Sequence, residues 1–202
     1  MSVFQTYLQL GFFHIFNLQA YDHLVFLLAL CAPYVLREWR RVVALVTGFT
    51  LGHSLTLALA TLGVVVFPAA VIEALIPVTI LLTCVFNLIQ APRGPRRNDT
   101  RRPAPVWLAW PNLLAVVFGL IHGLGFSSYL RGLLGATSRP VLELLAFNVG
   151  VELGQLLIVL LILLVGFVVV RGFRAAPRDW VMVVTGIAAG VAAVLLLGQL
   201  NA

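Results

Sequence analysis

Apolar residues run along this chain in blocks of about eighteen or more, broken by short polar stretches, and a block of that length is fit to cross a bilayer as a helix. Residues 3–16, VFQTYLQLGFFHIF, are apolar with a few polar breaks and predict a short interfacial or re-entrant helix ending near Phe16. Asn17, Gln19 and Asp22 then supply groups able to cap a new helix. Spans are predicted from there at about 18–36, 42–66, 69–90, 106–134, 141–170 and 180–200. Arg37, Arg40 and Arg41 close the first span, and Phe67-Pro68 makes a tight, uncharged turn after the second. Pro77 in the third is tolerated as a kink, because neighbouring helices satisfy the backbone group it frees. Residues 91–105, APRGPRRNDTRRPAP, hold five arginines and four prolines with no apolar run and read as an exposed loop. The expectation is an all-α membrane protein, one transmembrane domain over residues 1–202, built as a bundle of six helices with the short N-terminal helix beside it.

Composition agrees: 61% of the 202 residues are hydrophobic and 10% are charged, which no soluble domain of this size requires. The opening segment has neither a basic n-region nor a small-residue cleavage site, so the N-terminus is expected to stay on the protein. Cys31 and Cys84 stand singly inside apolar runs without CxxC spacing and read as small core residues. All thirteen basic residues are arginines and most fall between spans, which makes them topology signals before they are nucleic-acid ligands. Eleven lie on one set of alternate loops and two on the other, so the positive-inside rule places both termini outside and the Arg93–Arg102 loop in the cytoplasm, in a bacterial plasma membrane.

That orientation gives depth. At ~1.5 Å per helical residue, His53 and His122 fall at mid-bilayer or beyond, and Asp22, His23, Glu73 and Glu152 fall in the middle or outer half. Ionisable groups at such depth are costly and mark functional sites. All four histidines, His14, His23, His53 and His122, are predicted in or against the membrane. Together with Asp22 and Glu152 they form a candidate ligand set for a divalent transition metal: imidazole and carboxylate suit zinc, nickel, cobalt, iron or copper(II), and the two methionines stand far away, against a soft-metal site. Thr50 and Ser54 on the second span, with Asn148 and Gln155 on the fifth, are candidates to orient the ligands from a second layer. Asn148, Glu152 and Gln155 share one helical face at i, i+4 and i+7. Gly119, Gly123 and Gly125 around His122 predict close helix packing. Glu73 is a candidate rim residue at the entrance.

At these residues the sequence resembles the HupE/UreJ family of small membrane proteins, whose better-known members accompany hydrogenase and urease and are regarded as nickel permeases. His14 with Asp22-His23 is similar to the family's HPxxGxDH element, although Ile15 stands where the motif has proline and Ala20 lies nearest the place of its glycine. The segments FTLGHSLTLAL with His53, VIEALIP with Glu73, GLIHGLGF with His122, and FNVGVELGQ with Asn148, Glu152 and Gln155 carry the rest of the resemblance. It implies a nickel permease, working beside a metalloenzyme maturation system, with an intramembrane His/carboxylate site near the outer face.

Two other functions fit the residues. An intramembrane zinc-dependent hydrolase of a lipid or membrane-embedded substrate would use three histidines on zinc, Asp22, Glu73 or Glu152 as base, and Ser54 or Ser127 in support. A non-catalytic metal-binding accessory protein is the other. A continuous polar path through the bundle favours the permease; a blind site favours the hydrolase. In the predicted inner half, Asn87 and Gln90 are nearly the only polar lining. No nucleotide-binding loop, dinucleotide fold or covalent triad is present in the sequence, and no nucleic-acid partner is expected.

Overall fold

The computed structural model describes residues 2–17, 21–91, 110–134 and 140–201. Among them are eight α-helices and no strands: α1 (Val3–Ile15), α2 (Asp22–Cys31), α3 (Trp39–Thr61), α4 (Ala69–Gln90), α5 (Trp110–Gly125), α6 (Ser127–Leu134), α7 (Pro140–Phe167) and α8 (Pro177–Leu200). Four segments are long and apolar enough to cross a membrane, namely Leu36–Thr61, Ala69–Gln90, Val141–Gly172 and Pro177–Leu200, while α2 and α5 are shorter apolar helices. The protein is an integral membrane protein. Of the loop expected over 91–105, all but Ala91 lies outside the described residues, as do 18–20 and 106–109.

Local chemistry sets the helix ends. The Ser2 hydroxyl accepts from the Gln5 N–H at 3.2 Å while the Gln5 side chain accepts from the Ser2 N–H at 3.0 Å, a reciprocal cap that starts α1. Past α3, Gly63 takes φ +77°, and the Val64 N–H reaches back to the Leu59 carbonyl to close the helix. Two of the expected spans are interrupted. The apolar run over 18–36 carries a helix of only 10 residues, Asp22–Cys31, because Pro33 cannot continue it and disfavours helical backbone before it. Its consequence is met from another helix: the Ala29 carbonyl, which would have bonded to an N–H at position 33, accepts from the Asn87 amide of α4 at 2.7 Å. The run over 106–134 is divided at Phe126 into α5 and α6, where the Ser127 hydroxyl donates to the Leu124 carbonyl at 2.7 Å.

Two helix pairs pack backbone to backbone. Between α3 and α5, a Cβ on Gly119 would collide with the Phe49 carbonyl, one on Gly52 with the Val116 carbonyl, and one on Gly123 with the His53 carbonyl. Between α1 and α7, a Cβ on Gly11 would collide with the Phe147 carbonyl and one on Gly150 with the Leu8 carbonyl. The two interfaces correspond residue for residue. In each, a glycine (Gly11, Gly119) lies over a phenylalanine carbonyl (Phe147, Phe49), and the glycine three residues beyond that phenylalanine (Gly150, Gly52) lies over the carbonyl three residues before the first glycine (Leu8, Val116). Helices α1 and α5 are thus equivalent, as are α3 and α7, while α4 packs against α8. Among the described residues this leaves a repeat pattern carried by α1, α3, α5 and α7, with the first helix of each half packed on the third helix of the other.

Candidate metal centre

The glycine of each equivalent pair stands three residues before a histidine, Gly11 before His14 and Gly119 before His122. Close approach of backbones therefore occurs almost one turn from each imidazole and carries it against the neighbouring helices. His23 lies in the first turn of α2 and His53 sits past the middle of α3. The four rings meet around His23, whose centroid lies 5.0 Å from that of His14, 5.4 Å from His122 and 6.1 Å from His53. All are buried, with exposures of 8% for His14, 5% for His23, 0% for His53 and 1% for His122. Phe26 and Phe49 pack against His122 at 5.0 and 5.2 Å, and Phe126 and Phe147 pack against His14 at 3.9 and 5.7 Å. This aromatic wall keeps the local dielectric low.

Proton positions follow from the partners. The Asp22 Oδ1 accepts from the His23 N–H at 3.0 Å and lies 3.1 Å from His23 Nδ1. A carboxylate oxygen only accepts, so Nδ1 carries the proton and Nε2 presents its lone pair. Thr79 Oγ1 lies 2.7 Å from the Ile76 carbonyl and 2.9 Å from His122 Nε2. Its single proton goes to the carbonyl, which cannot donate; toward His122 it is an acceptor, so Nε2–H is the donor and Nδ1 presents the lone pair. Both Nε2 of His23 and Nδ1 of His122 are buried without a partner, as are Nε2 of His14 and both ring nitrogens of His53. Each unsatisfied buried polar group costs about 1–3 kcal/mol. Four imidazoles gathered in one apolar chamber, each with a nitrogen left unpartnered, fit a cation that takes imidazole; the donor atoms of Asp22, His23 and His122 lie within 4.8 Å of one another, and His14 and His53 stand outside that group.

The other candidates are placed elsewhere. Glu152 lies outside that donor group and its Oε1 accepts from Thr47 at 2.7 Å across the α3–α7 contact. Thr50 bonds the Gln155 amide at 2.8 Å and Asn148 donates to the Leu144 carbonyl at 2.8 Å, so these three meet one another or their own helix and not the imidazoles. Ser54 is half-buried beside His53, and Glu73 is exposed near the start of α4. Cys31 and Cys84 are free and buried, as small core residues are. The groups that do orient imidazoles are Asp22, behind His23, and Thr79, behind His122.

Thr79 was hidden in the sequence by its ordinary company, yet it opens a series. Thr79, Thr83 and Asn87 recur at four-residue intervals on α4 and are all buried. Below them a cavity of about 80 Å³ is lined in part by Tyr34, Thr83, Asn87 and Gln90. Burial and the Glu38 carboxylate push the Tyr34 phenol up to about 12, so it stays a neutral hydroxyl there. At the other end of α4 and α5, a cavity of about 190 Å³ is lined in part by Ala69, Ile72, Leu124, Ser127 and Ser128, beside the α5–α6 break. Thr79 lies midway between the two.

A family model described as HupE / UreJ protein matches residues 1–199. No curated protein and no solved structure matches the chain.

Proposed function

This chain belongs to the HupE / UreJ family, which is associated with nickel and cobalt transport, and from that premise we propose that it is a permease for a divalent transition-metal ion, nickel first. The ion is held by His14 Nε2, His23 Nε2, His53 and His122 Nδ1 beside the Asp22 carboxylate, with Thr79 fixing His122. One observation carries the reading: the imidazole cluster meets α4 at its middle, at Thr79, and α5 in its last turn, at His122, and cavities with hydroxyl or amide lining adjoin the opposite ends of α4. A carrier needs a site reachable from both faces. By the arginine distribution, the Ser127–Ser128 cavity faces outward, with the exposed Glu73 next in sequence to its lining residue Ile72, and the Asn87–Gln90 cavity faces the cytoplasm of a bacterial cell.

The interrupted helices support the same reading. Helix α1 has 13 residues and α2 has 10, so end to end they reach about 35 Å at ~1.5 Å per residue, enough for a hydrocarbon core of ~30 Å. We read α1 with α2, and α5 with α6, as two discontinuous spans. With α3, α4, α7 and α8 they make a single domain of six spans, three to each repeat. An odd number of spans per repeat puts the halves in opposite orientations. Inverted repeats whose broken helices meet at a central site are the build of many secondary transporters. A hydrolase would need a carboxylate beside the imidazoles free to activate water, whereas Asp22 Oδ1 is committed to His23, Glu152 stands outside the donor group on the α3–α7 contact, and Glu73 is exposed near the start of α4. A metalloenzyme maturation system is the natural consumer of the ion delivered.

The test is nickel flux into proteoliposomes loaded with a fluorescent chelator, with equilibrium binding measured on the same protein. Saturable flux that His122→Ala abolishes supports the permease. Stoichiometric binding without flux reduces the protein to an accessory, and absence of both removes the metal reading altogether.

A further inference from the structure

A cavity of about 740 Å³, with none of the imidazoles in its wall, opens where the α2–α3 link, the end of α7 and the start of α8 come together. Small-molecule sites span about 300–1,000 Å³, so it is large enough to hold a ligand. Its level in the bilayer follows from the spans. Arg37 is the second residue of Leu36–Thr61, Arg171 the last but one of Val141–Gly172, and Trp180 the fourth of Pro177–Leu200. The ends of three membrane-crossing segments thus build the wall at the depth of lipid headgroups, on the face that the arginine distribution turns to the cytoplasm.

The charges in that wall are of one sign. Arg37 and Arg171 both line it, and no carboxylate does. Among the described residues neither arginine is in an ion pair, while the carboxylate next in sequence to Arg37, that of Glu38, is taken by Arg41 at 3.0 Å. A π turn over Val168–Gly172, in which the Phe173 N–H donates to the Val168 carbonyl at 3.1 Å, carries Val170 and Arg171 to the wall. Such turns are rare and recur at functional sites. Trp180 lies so close to Gly166 that a Cβ there would stand 3.2 Å from the indole, which fixes the ring as one side of the cavity. Away from the arginines the wall is apolar. Ala32 and Val181 are buried in it, and the exposed Phe167 shares a face of α7 with the exposed Leu164 and Leu160, at i−3 and i−7. That strip leads from the arginines toward the hydrocarbon core.

We propose that this cavity binds an anionic glycerophospholipid of the cytoplasmic leaflet, of the phosphatidylglycerol class. Its phosphodiester sits between Arg37 and Arg171, and an acyl chain follows the Phe167–Leu164–Leu160 strip. Guanidinium groups match phosphate oxygens as a fork, and basic pockets between helices on this side of a membrane suit anionic headgroups. With no carboxylate in the wall, the ammonium of a zwitterionic headgroup finds no partner and faces two positive charges, which disfavours phosphatidylcholine. The site is defined without reference to the metal, and its test does not read flux.

The experiment is thermal unfolding of the delipidated full chain in detergent, titrated with phosphatidylglycerol or phosphatidylcholine in mixed micelles. Phosphatidylglycerol should raise the melting temperature saturably, by roughly 3–6 °C at about ten times the half-saturating mole fraction, and phosphatidylcholine should not. Arg37→Gln with Arg171→Gln should weaken the response about 25-fold, about fivefold for each arginine, while Arg96→Gln with Arg97→Gln, which removes the same charge from residues 91–105, should leave it within about twofold. Equal losses in the two pairs would reduce the effect to attraction by net charge and overturn the site. Equal stabilisation by the two lipids, or by inorganic phosphate alone, would overturn the lipid assignment. If the Arg37 and Arg171 double variant does not fold, the two single variants are read against the same control.

Discussion

Replacing Thr79 by valine tests the proton assignment at its narrowest point. The two side chains are nearly isosteric, so little cavity opens, but the acceptor for His122 Nε2–H, 2.9 Å away, is gone. His122 is 1% exposed and no water replaces the lost partner without rearrangement. The imidazole then either carries an unsatisfied donor, at about 1–3 kcal/mol, or moves its proton to Nδ1, the nitrogen offered to the metal. Either way the metal-competent tautomer loses most of that hydrogen bond's worth, and at 1.4 kcal/mol per decade the affinity falls about 10–100-fold. The assay is competition for nickel against a chromophoric chelator, with circular dichroism and melting temperature as controls for folding. Thr79→Ser, which restores an oxygen at the same place, should recover most of the loss. A folded Thr79→Val protein with affinity within about twofold of wild type would refute the tautomer argument.

Three further outcomes follow from the geometry. Gly119→Ala should destabilise by about 1–3 kcal/mol or more through overpacking, because its Cβ meets the Phe49 backbone; Gly190→Ala in α8, with nothing within 4 Å, should be neutral or gain up to about 1 kcal/mol, and equal melting shifts for the two would contradict the close α3–α5 approach. Asn87→Leu, which orphans the Ala29 carbonyl that Pro33 leaves unbonded, should cost about 0.6–2 kcal/mol of thermal or denaturant stability, and a silent variant would show that another donor serves α2. Nickel binding should weaken as pH falls toward about 6, since a proton competes for each imidazole lone pair and acid therefore favours the metal-free form; titration at pH 7.5 and 5.5 that gave one affinity would exclude histidine as the principal ligand.

The four long spans were legible because hydropathy alone decides whether about twenty residues can sit in lipid. The interruptions were not. Residues 18–36 and 106–134 are apolar on average, and what divides them is Pro33 with its rescue by Asn87, and the Ser127 hydroxyl on the Leu124 carbonyl, neither of which alters an average over a window. The repeat escaped for a related reason. Its trace is two short patterns, G-x-x-H at 11–14 and 119–122 and F-x-x-G at 49–52 and 147–150, which match in chain order but pack crosswise, so that no neighbouring segments betray it. The site was half legible. Imidazoles in an oily run announce a cost that something must offset, so the four histidines stood out. Spacing at i, i+4 and i+7 put Asn148, Glu152 and Gln155 on one face of α7, but could not say that the facing hydroxyls of Thr47 and Thr50 would claim Glu152 and Gln155, or that Asn148 would bond the Leu144 carbonyl of its own helix. Thr79 had the opposite fate, a common residue made important only by the ring that α5 brings to it.

Glycine packing and histidine clustering are one device seen at two scales. Where Gly119 lets α5 settle on the Phe49 carbonyl, His122 follows three residues later and lands among Phe26, Phe49 and His23; where Gly11 lets α1 settle on Phe147, His14 lands between Phe126, Phe147 and His23. Backbone separation therefore sets the distance between imidazoles, and an added methyl on Gly119 should push His122 off the shared position as well as strain the interface. Nickel affinity should fall in Gly119→Ala even at temperatures where the protein remains folded. Asn87→Leu, which acts on α2 below the cluster, should lose stability with a smaller change in affinity. Measured side by side, the two variants separate a chamber shaped by helix approach from one that merely shares the bundle's overall stability: if both lose affinity only in proportion to their melting temperatures, the glycines have no part in setting the site.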